Sequence, residues 1–299
     1  MDYNDNINKD ISNYAFVQFI KPETFIADSK KRFSGYIEIE LLTVDKLFIG
    51  SGMSYFDGTT FYATTLQENG KLIIPGSSLK GAVRHISRAV SPSCIPDTKE
   101  SQLRNGYHKE CILNEQCIVC DMFGMMSKAS KIRFTDLISE NGKTVKVKVP
   151  TQFEPQKHSE KYKDDHKFFG YKFYYTNCKN RDIPKDESIE AIMENTSFTG
   201  KVFFKDLYKE ELQLLMFALS FSEHISLKLG KYKADGFGTC NIFCKKLLID
   251  GKEEDVKKAY DYAIAHKEYV DKIAKGQINN LSDILLRKKY KEELGENKN

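Results

Sequence analysis

Alternation of apolar and polar positions marks the first clear element of the chain. In GYIEIELLTVDKLFIG, Gly35 to Gly50, the residues Tyr36, Glu38 and Glu40 alternate with Ile37, Ile39 and Leu41. That period of two predicts a half-buried strand with one polar face. GSGMSYFDGTTF, Gly50 to Phe61, reads as a glycine-rich loop. The apolar run Leu72 to Ile74 predicts a short strand. It leads through a Pro-Gly turn into a helix that opens at Ser77 or Ser78. Strand-like alternation returns at Lys131 to Leu137, Thr144 to Val149, Gly170 to Thr176 and Phe198 to Phe204. Asp206 to Phe221 predicts a strong helix. Leu212, Leu215, Met216 and Leu219 fall at helical spacing as a core face, with acids near the start. Strands at Ile225 to Leu229 and Thr239 to Leu248 close the series. The order predicts an α+β fold and is compatible with a ferredoxin-like β-α-β-β-α-β core.

The same pattern divides the chain. Residues 1–33 are polar with scattered aromatics and read as a tail that orders against a partner. Residues 34–250 form the main domain, with an irregular insertion at 91–126 and a charged, aperiodic projecting loop at 151–170. Residues 251–299 form a charged, helix-prone extension broken near Gly276 to Asn280. Lysine and arginine total 46 against 42 acids, a mild basic excess that implies nothing without local clustering. No apolar run has membrane-spanning length, and the start, MDYNDNINKD, is polar and acidic rather than a secretory signal. With seven cysteines, an odd number, the expectation is a reducing cytoplasm with thiols or metal ligands rather than disulfides.

Three segments carry candidate chemistry. In the first helix a serine cap leaves backbone N–H groups for a phosphate, next to the turn glycine Gly76 and the caps Ser77 and Ser78. Lys80, Arg84 and Arg88 follow at i, i+4 and i+8 and share one face; a solvated basic face is the bland alternative. GKYKADGFG, Gly230 to Gly238, combines three glycines with Lys231 and Lys233. Tyr232 or Phe237 could stack on a base there, although a flexible hairpin turn has the same composition. His108, Cys111, Cys117 and Cys120 read H-x2-C-x5-C-x2-C, which suits a closed, structural tetrahedral zinc. Cys94 is the substitute ligand if His108 faces away, and three buried free thiols are the alternative. Cys178, Cys240 and Cys244 read as core or incidental, and His158 and His166 receive no role.

IPGSSLKGAVR, CIVCDMFG, KIRFTDLI and LKLGKYKADGFGTCNI occur in that order. They resemble the signature segments of the RAMP superfamily of CRISPR-associated proteins, and the resemblance spans roughly residues 35 to 245. It implies an RNA-recognition-motif-like ferredoxin core with insertions. It implies a subunit of a type III CRISPR effector that serves antiviral defence, whose partners are crRNA, target RNA and other effector subunits. Guide phosphates would then lie on Gly76, Ser77, Ser78, Lys80, Arg84, Arg88, Lys231 and Lys233. The 151–170 loop would act as a thumb. Some relatives carry a zinc knuckle where the cysteines lie. An acidic residue in the loop before the IPGSS segment acts in metal-dependent target cleavage in some members. Asp57 is its loose match here, with Mg²⁺ as the implied cofactor, although Asp-Gly is equally good turn chemistry. No RNP aromatic signature is present, so RNA binding would not use sheet-face stacking. Two further readings compete: a metal-dependent endoribonuclease on target or precursor crRNA, and a zinc-stapled protein-interaction module.

Overall fold

The computed structural model describes residues 13–96, 100–152, 163–164, 167–168, 170–178 and 184–287. In chain order the first strands are β1 (Tyr14–Gln18), β2 (Phe33–Thr43), β3 (Gly50–Phe56), β4 (Phe61–Thr65), β5 (Gln67–Glu68) and β6 (Lys71–Ile74). Helices α1 (Gly76–Ala89) and α2 (Ile118–Phe123) follow. Next come β7 (Ile132–Phe134), β8 (Leu137–Ser139), β9 (Thr144–Val149), β10 (Lys163–Asp164), β11 (Lys167–Phe168), β12 (Gly170–Tyr174), β13 (Glu187–Ile192) and β14 (Ser197–Leu207). The chain continues through α3 (Lys209–Ala218), β15 (Leu227–Lys228), β16 (Thr239–Ile249), β17 (Lys252–Glu254), α4 (Lys257–Ile273) and α5 (Gln277–Ile284).

The centre of the fold is an antiparallel sheet in which β2 lies between β16 and β14, while β7 and β8 pair with the far side of β14. The alternation read in the sequence sets the register: Ile37, Ile39 and Leu41 face the core and are almost wholly buried. α1 follows β2 and precedes β7, and α3 joins β14 to β16. The sheet order is therefore compatible with a ferredoxin-like core in which each helix connects two of the four central strands. Leu212, Leu215, Met216 and Leu219 of the α3 region are fully buried, as their spacing predicts. A smaller sheet, β3-β4-β13-β9, encloses its own cluster of Phe48, Val149, Ile189, Ala191 and Tyr232.

Several expectations change. Gly50 to Phe61, read as a loop, is largely the β3–β4 hairpin. Residues 14–18, read as part of a polar tail, form a strand whose Val17 is wholly buried. β1 pairs with β12, and the amide of Gln277 ties its end to α1 by donating to Gln18 O and Ala89 O, each at 2.7 Å. The thumb-like reading of 151–170 falls mostly outside the described residues. Within it, β10 and β11 form a short antiparallel pair. Among the described residues, no helix is long and apolar enough to cross a membrane.

α4 covers α3 and buries His266, whose Nε2 lies 3.1 Å from Val90 O. Burial depresses its pKa to about 4. A histidine lowered in the folded state takes up its proton more readily when unfolded. Stability is therefore present above about pH 6.5 and is lost as pH falls toward 4. Urea denaturation at pH 7 and pH 5 should show a loss of about 2 kcal/mol from this residue. His266→Gln should flatten that difference, whatever its effect on stability at pH 7.

Candidate RNA-binding cleft and four-cysteine cluster

α1 begins at Gly76, not at a serine. Pro75 occupies the cap position, and no side-chain oxygen of Ser77 or Ser78 caps the helix. The Gly76 N–H donates instead to Asp136 Oδ1 at 2.8 Å, while Ser78 N–H and Leu79 N–H donate to Pro75 O. A carboxylate from the β7–β8 link thus occupies the site that a phosphate was expected to take. Gly76 is required for a separate reason. A Cβ there would lie 2.5 Å from Phe134 O and 2.6 Å from Thr135 O, so only glycine lets the helix start against that link.

The cationic stripe exists, but it faces protein. Leu79, Val83 and Ile86 of α1 point into the core. Lys80 donates to Ser130 Oγ at 2.8 Å and to Ile132 O at 3.3 Å. Arg84 donates to Gly124 O at 2.9 Å, and its guanidinium lies within reach of the Cys120 sulfur. Burial pulls the pKa values of Lys80 and Arg84 down. The Nε atoms of Arg84 and Arg88 are buried without a hydrogen-bond partner.

The reason for burying Arg84 lies beside it. Cys94, Cys111, Cys117 and Cys120 are all buried, and their sulfurs lie within 4.8 Å of one another. Cys94 Sγ is 3.4 Å from Cys120 Sγ and 3.9 Å from Cys117 Sγ. A tetrahedron with Zn–S bonds of about 2.3 Å has S–S edges of about 3.8 Å, so the donor set suits zinc. The fourth place expected for His108 is taken by Cys94. His108 lies one step outside, its Nε2 3.7 Å from Cys111 Sγ. The signal for Cys94 was weak because 16 residues lie between it and Cys111, beyond any short ligand spacing. Hydrogen bonding from Cys111, Cys120 and Cys94 holds the Cys117 thiol well below the usual range, and bonding among the same sulfurs pushes Cys94 up. Four thiolates around a divalent ion would carry two net negative charges, which the adjacent Arg84 would partly offset. Zinc here would be structural, since four protein ligands leave no open position.

The opposite side of α1 is open. Ser78, Gly81, Ala82 and His85 line a cleft of about 510 Å³, whose other side comes from the 228–233 segment and from β12. Lys172, Lys228 and Lys233 all line it, and among the described residues its lining holds no carboxylate. The two glycine-containing motifs therefore meet across one groove, but with different cations from those expected of α1. Lys233 donates to Gly230 O, and burial lowers its pKa. Lys228 donates to Phe237 O at 2.9 Å and lies 3.9 Å from Asp45. Lys231 is exposed, its ammonium 4.9 Å from the Tyr232 ring. Tyr232 is not free to stack on a base. It is buried against Phe48 and donates to Glu187 Oε2 at 2.6 Å. Gly238 returns the loop with φ +85°, and a Cβ there would meet Leu229 O at 1.9 Å. Lys172 carried no sequence motif, and Lys228, although inside the LKLGKYKADGFGTCNI segment, was not singled out; only the fold brings the two to the groove.

A model of the RAMP superfamily matches residues 40–241, about two thirds of the 299 residues. The chain belongs to the RAMP superfamily. The match begins within β2 and ends within β16, so it contains both sides of the cleft apart from β1 and the C-terminal helices. Membership is consistent with a CRISPR-associated RAMP protein and supports RNA binding. No curated protein matches the chain.

Asp57, the loose sequence match to an acidic cleavage residue, sits in a turn. Asp57 Oδ1 accepts from Thr59 N–H, Thr59 Oγ1 and Thr60 N–H at 2.7–3.1 Å, and Oδ2 pairs with Lys146 Nζ at 2.7 Å. These contacts, Lys146 first, hold its carboxyl well below the usual range. Among the described residues, the four cysteines are the one group of three or more His, Cys, Asp or Glu donors close enough to hold a metal.

Mass spectrometry of metal content should find about one zinc per chain in the wild type and in His108→Ala. Cys94→Ser and Cys117→Ser should each lose it. Chelation should lower Tm by roughly 10 °C, since a few kcal/mol are lost with the metal. Arg84→Gln should keep the zinc stoichiometry but release the metal faster to a competing chelator.

Proposed function

We propose that this RAMP protein is a crRNA-binding subunit of a type III CRISPR ribonucleoprotein. It would hold the guide through its phosphate backbone as part of a cytoplasmic complex with target RNA and other effector subunits. The observation that carries the reading is the cleft between α1 and the 228–233 segment. It joins two signature segments, includes the exposed Ser78 in its lining next to the exposed Ser77 in sequence, and is lined by three lysines with no carboxylate among the described lining residues. Lysines aimed at phosphates position a strand without reading its sequence, which is what a subunit that accepts any guide needs.

In this reading Ser77, Ser78, Lys231 and Lys233 contact the backbone, joined by Lys172 and Lys228. Gly76, Lys80, Arg84 and Arg88 act indirectly, by seating α1. The role is to hold rather than to cut, because both Asp57 oxygens already serve the β3–β4 turn and Lys146. The four-cysteine cluster supports the same helix from behind and is assigned structural zinc.

Filter binding of the full-length protein to single-stranded RNA tests the reading. Affinity should fall steeply with salt and vary little with sequence. Lys231→Ala and Lys233→Ala should each weaken binding and reduce the slope of log K against log salt by about 0.7. Asp57→Ala should leave affinity unchanged. Absent or salt-insensitive binding would favour a protein-interaction module instead.

A further inference from the structure

The two-stranded ribbon of β1 and β12 has one buried face and one aromatic face. Ala15, Val17, Tyr171 and Phe173 point inward, with His85 of α1 stacked 4.5 Å from the Phe173 ring. The register sets Tyr14 opposite Tyr174 and Phe16 opposite Lys172, so these four share the outer face and are half-buried. Lys172 Nζ sits 3.8 Å from the Tyr14 ring centroid and 5.0 Å from that of Tyr174. The two tyrosine rings are 6.3 Å apart. This face continues into the cleft, because Lys172 and Tyr174 are also lining residues. The ribbon is tied to the glycine loop by Asn13 Nδ2, which donates to Ala234 O at 2.8 Å.

We propose that Tyr14, Lys172 and Tyr174 form a stacking wall for one nucleobase of the RNA strand whose phosphates occupy the cleft. The inference rests on the RNA-binding reading above and adds a base contact contributed by a strand outside the matched residues 40–241. Single-stranded RNA suits the surface better than an acidic peptide does. The two tyrosine rings meet edge to face at 71°, so a ring face not covered by Lys172 takes the base while the lysine takes its adjoining phosphate, and stacking of this kind tolerates every base. The wall therefore adds affinity without compromising the freedom to accept different guides. A cleft of about 510 Å³ is large enough for a single nucleotide unit rather than a folded ligand.

The test uses the full-length protein and single-stranded RNA carrying 2-aminopurine at each position in turn. Binding should quench the fluorophore at the position that meets the wall. Tyr14→Ala with Tyr174→Ala should restore the emission and weaken binding about tenfold or more, with the salt slope unchanged. The double Tyr→Phe variant should retain the quenching, since the ring and not the hydroxyl does the stacking. Photocrosslinking of wild-type protein to 5-iodouridine RNA, mapped by peptide mass spectrometry, covers the case in which the alanine variant misfolds. Crosslinks at Tyr14 or Tyr174 support the wall. If the RNA binds with a normal salt slope but neither quenching nor crosslinking involves the ribbon, the wall is overturned while the RNA-binding reading stands. If wild-type protein binds no RNA, both are overturned.

Discussion

Helix α1 is held on three sides, and the arrangement of the rest of the molecule follows from how that is done. Its apolar stripe packs on the sheet. Its N-terminus meets the β7–β8 link so closely that only Gly76 fits, with the first N–H bonded to Asp136. Its cationic side is held by Lys80 against Ser130 and Ile132 at the start of β7 and by Arg84 against Gly124 at the end of α2. The exposed residues of α1 are the small Ser77, Ser78 and Gly81. Small side chains there allow a strand to approach the helix, so the packing that immobilises α1 also exposes its binding face.

Charge is distributed by the same logic. Burying Arg84 with an unpartnered Nε atom is costly unless an anion lies alongside, and four thiolates on a divalent ion would provide one. A second buried set works in parallel. Asp121 of α2 pairs with Lys128 and Lys131, and Lys131 also bonds the wholly buried Glu211 of α3 at 2.8 Å. Burial raises the Glu211 pKa to about 8. The Asp121 ion pairs and the Lys131–Glu211 hydrogen bond tie α2, the start of β7 and α3 into one unit behind α1. Lys80, Arg84 and Lys131 thus fasten the scaffold, while Lys228 and Lys233 brace the glycine loop and also line the cleft. The division is invisible in the net charge of +4.

The β1–β12 ribbon and α5 show how the fold is completed beyond its core. Gln277 bridges the end of α1 and the end of β1, and Asn13 reaches the glycine loop. Segments far apart in sequence thereby fix the width of the groove. The order of strands and helices, the apolar face of α3 and the clustering of cysteines were legible because each is written at short range, in periods of two or 3.6 or in C-x2-C spacing. β1 was not legible: five residues in a polar stretch carry too little pattern, and the strand owes its existence to pairing with β12. The serine cap misled for a related reason, since the competing donor, Asp136, lies 60 residues away.

Sequence alone determined the α+β class, the superfamily resemblance, three of the four clustered cysteines and the two segments that meet at the cleft. Tertiary structure decided which way those segments face. It turned Lys80, Arg84 and Arg88 inward, exchanged Cys94 for His108, buried Tyr232, and brought Lys172 and Lys228 to the groove. The physical reason is that local spacing specifies which residues share a face of a helix or strand, whereas long-range packing decides what that face meets. A row of cations at helical spacing reads the same whether phosphate, solvent or buried thiolates lie opposite.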